Sequence, residues 1–210
     1  MNQNYQHLLD AAINQIAASE HVPTLLLHSC CAPCSSYVLS YLSQYFKITV
    51  LYYNPNIYPP QEYNRREAEQ KALISALDVK HSIKFLSGTY DTDTFYNEVK
   101  GLEQEREGGM RCYKCYALRL QETARAAKDM GFDYFTTTLS VSPHKNAQWI
   151  NEIGDQLAKQ YDVSFLYSDF KKKNGYKTSI ELSKKYNLYR QDYCGCIFSQ
   201  NARDPKNAGD

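Results

Sequence analysis

Five short runs rich in β-branched and aromatic residues punctuate the chain, at Thr24–His28, Ile48–Tyr53, Ser82–Leu86, Tyr134–Thr138 and Val163–Tyr167. Each is strand-sized, and the intervals between them carry apolar residues at helical spacing. The helix-like segments are Ser35–Tyr45, Pro60–Leu77, Cys115–Met130 and Ala147–Tyr161, with Tyr176–Tyr186 after the last strand. Strands that lie parallel need a crossover of roughly a dozen residues or more, and a helix is the usual crossover. The alternation therefore predicts an α/β fold, a five-stranded and mainly parallel sheet with helices on both faces.

At 210 residues the chain is expected to form a single domain over 1–210. Residues 1–20 are expected to hold a helix, with Leu8, Leu9, Ala12, Ile13, Ile16 and Ala17 as its apolar stripe, and 201–210 a polar tail. Lys and Arg number 24 against 23 Asp and Glu, with 43% hydrophobic residues, a balance that excludes a disordered or collagen-like chain. No run reaches the roughly 18 apolar residues of a membrane span, and the N-terminus shows neither a basic start nor a leader-type apolar run. A cytoplasmic location without membrane contact is expected. The stretch Gly88–Arg111 is long, polar and broken by Gly101, Gly108 and Gly109, and reads as a functional excursion.

In an open α/β sheet, ligands bind outside the carboxyl ends of the strands. Cys30, Cys31 and Cys34 follow the first strand, Asn54–Asn56 the second, Thr137–Asn146 the fourth and Asp169–Gly175 the fifth. Four strand ends thus converge on one crevice. The seven cysteines fall into three groups: Cys30, Cys31 and Cys34, then Cys112 and Cys115, then Cys194 and Cys196. Without an export signal a disulfide framework is not expected. Cysteine also packs as a small apolar residue, and two CxxC-like pairs can hold structural zinc. Cys31-Ala-Pro-Cys34 at a strand-to-helix junction could act as a redox pair. Iron and sulfur provide the reading that uses every cysteine, four thiolates on a cluster and three left for a second metal or for chemistry.

HSCCAPC (28–34), YYNPNIYPPQEYNRR (52–66), RCYKC (111–115), TTTLSVSPHKN (136–146) and YRQDYCGCIFS (189–199) also carry a resemblance. Together and in this order they resemble the epoxyqueuosine reductases of the QueH type, over nearly the whole chain from Thr24 to Ser199. The resemblance implies a HUP-like (Rossmann-like) α/β fold with a Cys-rich metal site at the C-terminal edge of the strands. It implies reduction of the epoxide of epoxyqueuosine, at the wobble position of tRNA, to the cyclopentene of queuosine. It further implies a [4Fe–4S] cluster beside an additional mononuclear iron, no cobalamin, and an external electron donor. Cluster ligands are expected from Cys112 and Cys115 with one sulfur each from the first and last groups, the second iron taking the rest. Some members of the family carry Asp where this chain has Cys34, so a sulfur there would soften the ligand field of the second iron. No flavin or nicotinamide fingerprint is present.

Removing an epoxide oxygen as water to leave an alkene takes two electrons and two protons, so proton donors must stand near the oxygen. Tyr53, Tyr193, Glu62 and His144 lie in the matched blocks and are candidates, and the Asn54 amide could hold the cyclopentane hydroxyls. Simpler readings stand beside these: a turn at Asn54-Pro55-Asn56, a helix-start carboxylate at Glu62, a surface loop at His144. With a net charge of only +1, RNA affinity would need a local patch. Arg65, Arg66, Arg111, Lys145, Lys171, Lys172, Lys173 and Arg190 are its candidates, although a lysine run is often just a solvated face. The 19 tyrosines offer stacking surfaces for an anticodon loop. Two rival readings are a tRNA-thiolating ATPase and a zinc-stabilised tRNA-binding protein. The first needs a phosphate-cradling Gly-rich loop where this chain has Cys30-Cys31-Ala32-Pro33-Cys34.

Overall fold

The computed structural model describes residues 3–203. Its sheet has five strands: β1 (Thr24–His28), β2 (Lys47–Tyr52), β3 (Ile83–Ser87), β4 (Tyr134–Thr137) and β5 (Ser164–Phe165). Their order is β3-β2-β1-β4-β5 and every pairing is parallel. The chain winds outward from β1 in one direction to β3, then returns to β1 and winds the other way. This reversal opens a crevice at the carboxyl ends of β1 and β4.

Alternation along β1 explains the layers. Leu25 and Leu27 enter an apolar cluster with Leu9 and Ile13 of α1 (Tyr5–Ala17), Val38 and Leu39 of α2 (Ala32–Leu42) and Leu73 of α3 (Pro60–Ala76). Leu26 points the other way, into a cluster with Tyr116 and Leu120 of α5 (Met110–Asp129) and Ile150 and Ile153 of α6 (Ala147–Tyr161). Helix α7 (Gly175–Lys185) packs on α2. Both faces of the sheet are covered, as an all-parallel sheet requires.

Most element boundaries shift by a residue or more from the sequence expectation, and two of the shifts matter for the site. Helix α2 starts at Ala32 rather than Ser35, with a proline in its first turn, so Cys34 sits on the helix and not before it. Helix α5 starts at Met110 rather than Cys115, which puts Cys112 and Cys115 one turn apart on one face. The fourth strand ends at Thr137, where the Thr137 hydroxyl accepts from Leu139 N–H at 3.2 Å and starts a 3-10 turn, Thr138–Val141. The fifth is only two residues long, because Ser168 is drawn off by Asn151, whose side chain bonds both its N–H and its carbonyl at 2.9 and 2.8 Å.

The excursion at 88–111 holds a helix that periodicity did not reveal, α4 (Thr92–Glu98), capped by Asp91. A short helix, α8 (Ile197–Asn201), follows the last cysteine pair and takes the start of the expected tail. Residues 1, 2 and 204–210 of the expected N-terminal helix and tail lie outside the described residues.

At the amino end of the sheet, one Asp133 carboxylate oxygen accepts from both the N–H and the hydroxyl of Thr24, each at 2.8 Å, and ties β4 to β1. The Thr24 N–H bond holds the Asp133 carboxyl below its usual value. A depressed folded pKa contributes stability that is present above the unfolded value and is lost as pH falls through the folded one. Asp133→Asn is expected to cost about 1 kcal/mol at neutral pH, given two partly exposed hydrogen bonds. It should also flatten the loss of stability below pH 4, as read by urea denaturation across pH.

Candidate metal centre

The first sulfur group is built at the end of β1. Ser29 N–H bonds the Leu51 carbonyl at 3.0 Å, and the Asn54 amide donates to the Ser29 carbonyl at 2.8 Å. The Ser35 hydroxyl reaches the Cys31 carbonyl at 2.9 Å, and Gln70 Oε1 accepts from Ser29 and Ser35. With its backbone pinned this way, the turn brings the sulfurs of Cys30, Cys31 and Cys34 within 4.8 Å of one another. Cys30 and Cys31 are 4.0 Å apart. Thiolates on one tetrahedral ion at roughly 2.3 Å each would stand about 3.8 Å apart, so this trio can bind a metal ion with little movement.

Three neighbouring thiols cannot all ionise unaided. Hydrogen bonds from Cys31 and Cys34 hold Cys30 well below the usual thiol value, aided by Arg119. Bonding to Cys30 pushes Cys31 up to about 12, and bonding to Cys30 and Cys31 pushes Cys34 well up. One thiolate is favoured and the other two protons are retained until a cation replaces them.

Beneath the trio, His28 is fully buried, its Nδ1 2.8 Å from the Thr137 hydroxyl and its Nε2 3.1 Å from the Tyr53 carbonyl. Because the carbonyl can only accept, Nε2 carries the proton and the ring is neutral. Burial lowers its pKa to about 4, with Arg119 adding to the effect. One imidazole thus locks the carboxyl ends of β1, β2 and β4 together.

The other four cysteines come from α5 and the segment before α8. Burial pushes Cys115 up to about 12 against Arg119, with the Cys194, Cys196 and Cys112 sulfurs contributing. Cys196 rises to about 11 by burial and the nearby Cys194. Cys115 and Cys196 thus lie within electrostatic reach of each other and of Cys112 and Cys194, yet among the described residues only the first trio shows the tight spacing of a single ion. A cluster of several irons spaces its cysteines more widely than one ion does.

The Cys194–Cys196 turn is held by the loop after β2: Tyr58 N–H donates to the Gly195 carbonyl at 2.8 Å, the Tyr193 hydroxyl to the Tyr58 carbonyl at 2.6 Å, and Arg66 to the Cys194 carbonyl at 3.1 Å. Gly195 has φ +133°, and a Cβ there would lie 3.1 Å from both Arg66 and Ile57. A cleft of about 230 Å³ is lined by Cys30, Cys31 and Cys34 of the first group, by Cys194, and by Arg119 and Lys145.

Several expected roles change in this setting. Arg66 and Arg111, expected at RNA phosphate, are 1% and 4% exposed and turn inward, Arg66 to Glu62 at 2.7 Å and Arg111 to the carbonyls of the 102–105 turn. Lys145 also turns inward and donates to the Cys194 sulfur at 2.9 Å. Lys171 and Lys173 pair with Asp169 and Asp10. Arg65, Lys172 and Arg190 remain on the surface, and Arg190 lines the cleft. Of the expected proton donors, His144 and Tyr193 line the cleft, whereas Tyr53 is packed in the α5 cluster and Glu62 is the buried partner of Arg66. Asn54, expected at a substrate hydroxyl, is fully buried and bonds Ser29 and Arg119.

The group that sequence reasoning missed is Arg119. Its spacing was the available signal, since Cys112, Cys115 and Arg119 fall at i, i+3 and i+7 on one helix face.

The donor set suits an anionic metal centre. All seven cysteines are free thiols. One Nη of Arg66, one of Arg119, both amide atoms of Asn56 and the Tyr116 hydroxyl are buried without partners. Buried polar atoms are ordinarily paired, and all of these except Asn56 Oδ1 can donate to an anionic group.

Fold and site together define an α/β protein with a sulfur-rich centre able to hold a metal ion at the switch point of a parallel sheet. Residues 25–202 match the family model described as epoxyqueuosine reductase QueH. The chain is 44% identical over 205 residues to an epoxyqueuosine reductase QueH of Streptococcus pyogenes serotype M1, covering 95% of this chain and 80% of that one. It is 38% identical over 190 residues to that of Thermotoga maritima, 88% and 94% covered, and 37% identical over 182 residues to that of Acinetobacter baylyi, 86% and 82% covered. The chain belongs to the QueH family of epoxyqueuosine reductases, which are oxidoreductases.

Gly195→Ala is expected to strain the turn by about 1–3 kcal/mol and pull Cys194 and Cys196 out of place. Metal content after anaerobic purification should fall severalfold while far-ultraviolet circular dichroism stays unchanged.

Proposed function

We propose that this chain reduces epoxyqueuosine in tRNA to queuosine without cobalamin, in the cytoplasm, drawing electrons from an external donor. The observation that carries the reading is one cleft lined by the converging sulfurs of Cys30, Cys31 and Cys34 and by Cys194 in a chain of this family. Cys112, Cys115, Cys194 and Cys196 would hold a [4Fe–4S] cluster, and Cys30, Cys31 and Cys34 the additional iron. This division replaces the expected one, which sent one sulfur of the first group to the cluster, because the three sulfurs of that group already converge. When bound, the irons supply electrons singly and a Lewis acid for an oxygen ligand.

The chain's own residues shape the rest. The reaction consumes two electrons and two protons and releases the epoxide oxygen as water. The imidazole of His144, exposed at the cleft wall, can pass protons inward from solvent. The Tyr193 hydroxyl donates to the Tyr58 carbonyl, and burial pushes its pKa up to about 12, so it keeps its proton and offers its oxygen as an acceptor. Among the described residues no helix is long and apolar enough to cross a membrane.

For RNA, Arg190 and Arg203 stand on the cleft lining, and the Arg65 guanidinium stacks 3.4 Å over the Tyr189 ring, a platform suited to an unstacked base. Arg190→Ala should weaken tRNA binding about equally for modified and unmodified anticodons and reduce the salt dependence by about one phosphate contact.

A single-turnover assay on anaerobically purified, reduced protein tests the activity. Conversion of epoxyqueuosine in tRNA to queuosine without added cobalamin is expected, with Cys31→Ser and Cys115→Ser each slowed about 100-fold or more. Stoichiometric zinc without acid-labile sulfide, together with no conversion after iron–sulfur reconstitution, would instead identify a zinc-stabilised RNA-binding protein.

A further inference from the structure

Among the described residues, two buried guanidiniums near the sulfurs pair with no carboxylate: Arg111, whose Nη is held by the carbonyls of the 102–105 turn, and Arg119, which lines the cleft. Arg119 lies on α5 one turn beyond Cys115, is 1% exposed, and lines the cleft. Its Nε donates to the Cys115 carbonyl at 3.1 Å and one Nη to the Asn54 side-chain oxygen at 3.5 Å, while the other Nη has no partner. Neutral acceptors orient a guanidinium but do not cancel its charge. Among the described residues Arg119 takes part in no ion pair with a carboxylate, whereas the equally buried Arg66 has Glu62 at 2.7 Å.

An unpaired buried cation is one of the costliest groups a fold can carry. Arg119 shares the cleft lining with Cys30, Cys31, Cys34 and Cys194 and is bonded to the backbone of Cys115, so it touches or adjoins both sulfur sets. Asn54, itself tied to the Ser29 carbonyl, holds its orientation.

We infer that Arg119 is the counter-cation of the sulfur centre and sets the reduction potential of the iron–sulfur group held there. The inference rests on the iron–sulfur reading given above. Adding an electron to a thiolate-bound cluster increases its negative charge, and a fixed cation in a water-poor site stabilises that more negative state. Removing the cation makes reduction harder. Arg66 exerts a smaller net field on the same sulfurs because Glu62 already offsets it.

The test is a potentiometric titration followed by electron paramagnetic resonance on anaerobically reconstituted wild type, Arg119→Met, Arg119→Lys and Arg66→Met, with iron and acid-labile sulfide counted first. Arg119→Met is expected to lower the equilibrium constant for one-electron reduction at least tenfold, which is about 59 mV. Arg119→Lys keeps the charge and should retain most of the wild-type potential, and Arg66→Met should shift less than Arg119→Met.

Equal potentials in wild type and Arg119→Met at matched iron and sulfide overturn the inference and leave the iron–sulfur reading standing. So does an Arg119→Lys potential that falls as far as that of Arg119→Met, since packing and not charge would then be responsible. If wild type holds no sulfide after reconstitution, the reading fails and the inference with it. Should Arg119→Met not load iron, Arg119→Gln, which keeps an amide donor without the charge, replaces it under the same criteria.

Discussion

Sulfur atoms held close together away from water repel one another once they ionise, and much of this architecture is a response to that repulsion. In the first group the conflict leaves Cys30 as the favoured thiolate, while Cys31 and Cys34 keep their protons. Around both groups the chain turns two guanidiniums and one ammonium inward, from Arg66, Arg119 and Lys145. Those cations would ordinarily sit in solvent. Glu62 balances Arg66 and Glu107 stands 3.5 Å from Lys145, whereas Arg119 has only the sulfurs to offset its charge, and the inward turn removes from the surface two side chains that looked suited to phosphate.

The sheet makes such a concentration of sulfur possible. Cys30 and Cys194 are far apart in sequence, and neither local turn chemistry nor helix propensity could bring them together. The rigid parts are the carboxyl ends of β1, β2 and β4, which the neutral His28 ring joins through Thr137 and Tyr53. On that frame the loop after β2 acts as the bridge. Its Asn54 fastens the first sulfur turn, and its Tyr58 fastens the last. Displacing this loop would disturb both metal-binding sets at once.

The strands, their parallel arrangement and the place of the first cysteine group at the crevice were legible in the sequence, because hydrophobic period and the strand-end rule act locally, whereas only the family resemblance joined the other two cysteine groups to it. What escaped was set by long-range contacts. Tyr53 sits at a strand end as expected, but the pleat points its side chain into the α5 cluster rather than the crevice. Glu62, Arg66 and Gln70 repeat at i, i+4 and i+8 on α3, a spacing that marks one face. The sequence reading sent Glu62 to the epoxide oxygen and Arg66 to phosphate, and only packing shows that this face is buried. Helix α4 was hidden for a different reason, since seven residues are too few for a periodic signal and its Asp91 cap resembles any turn aspartate.

The polar atoms left without partners connect stability to metal loading. Arg66, Arg119, Asn56 and Tyr116 each bury at least one unsatisfied donor or acceptor near the sulfurs. Each such group carries a desolvation cost of about 1–3 kcal/mol, higher for the charged ones. A fold of marginal net stability can tolerate several only if something offsets them in the working state. A thiolate-bound metal centre would do so twice, by accepting hydrogen bonds from the donors among them and by placing negative charge beside the guanidiniums. Metal binding and the final packing of α5 against the loop after β2 would then form one coupled equilibrium, in which the ligands must lose protons for the fold to gain its full stability.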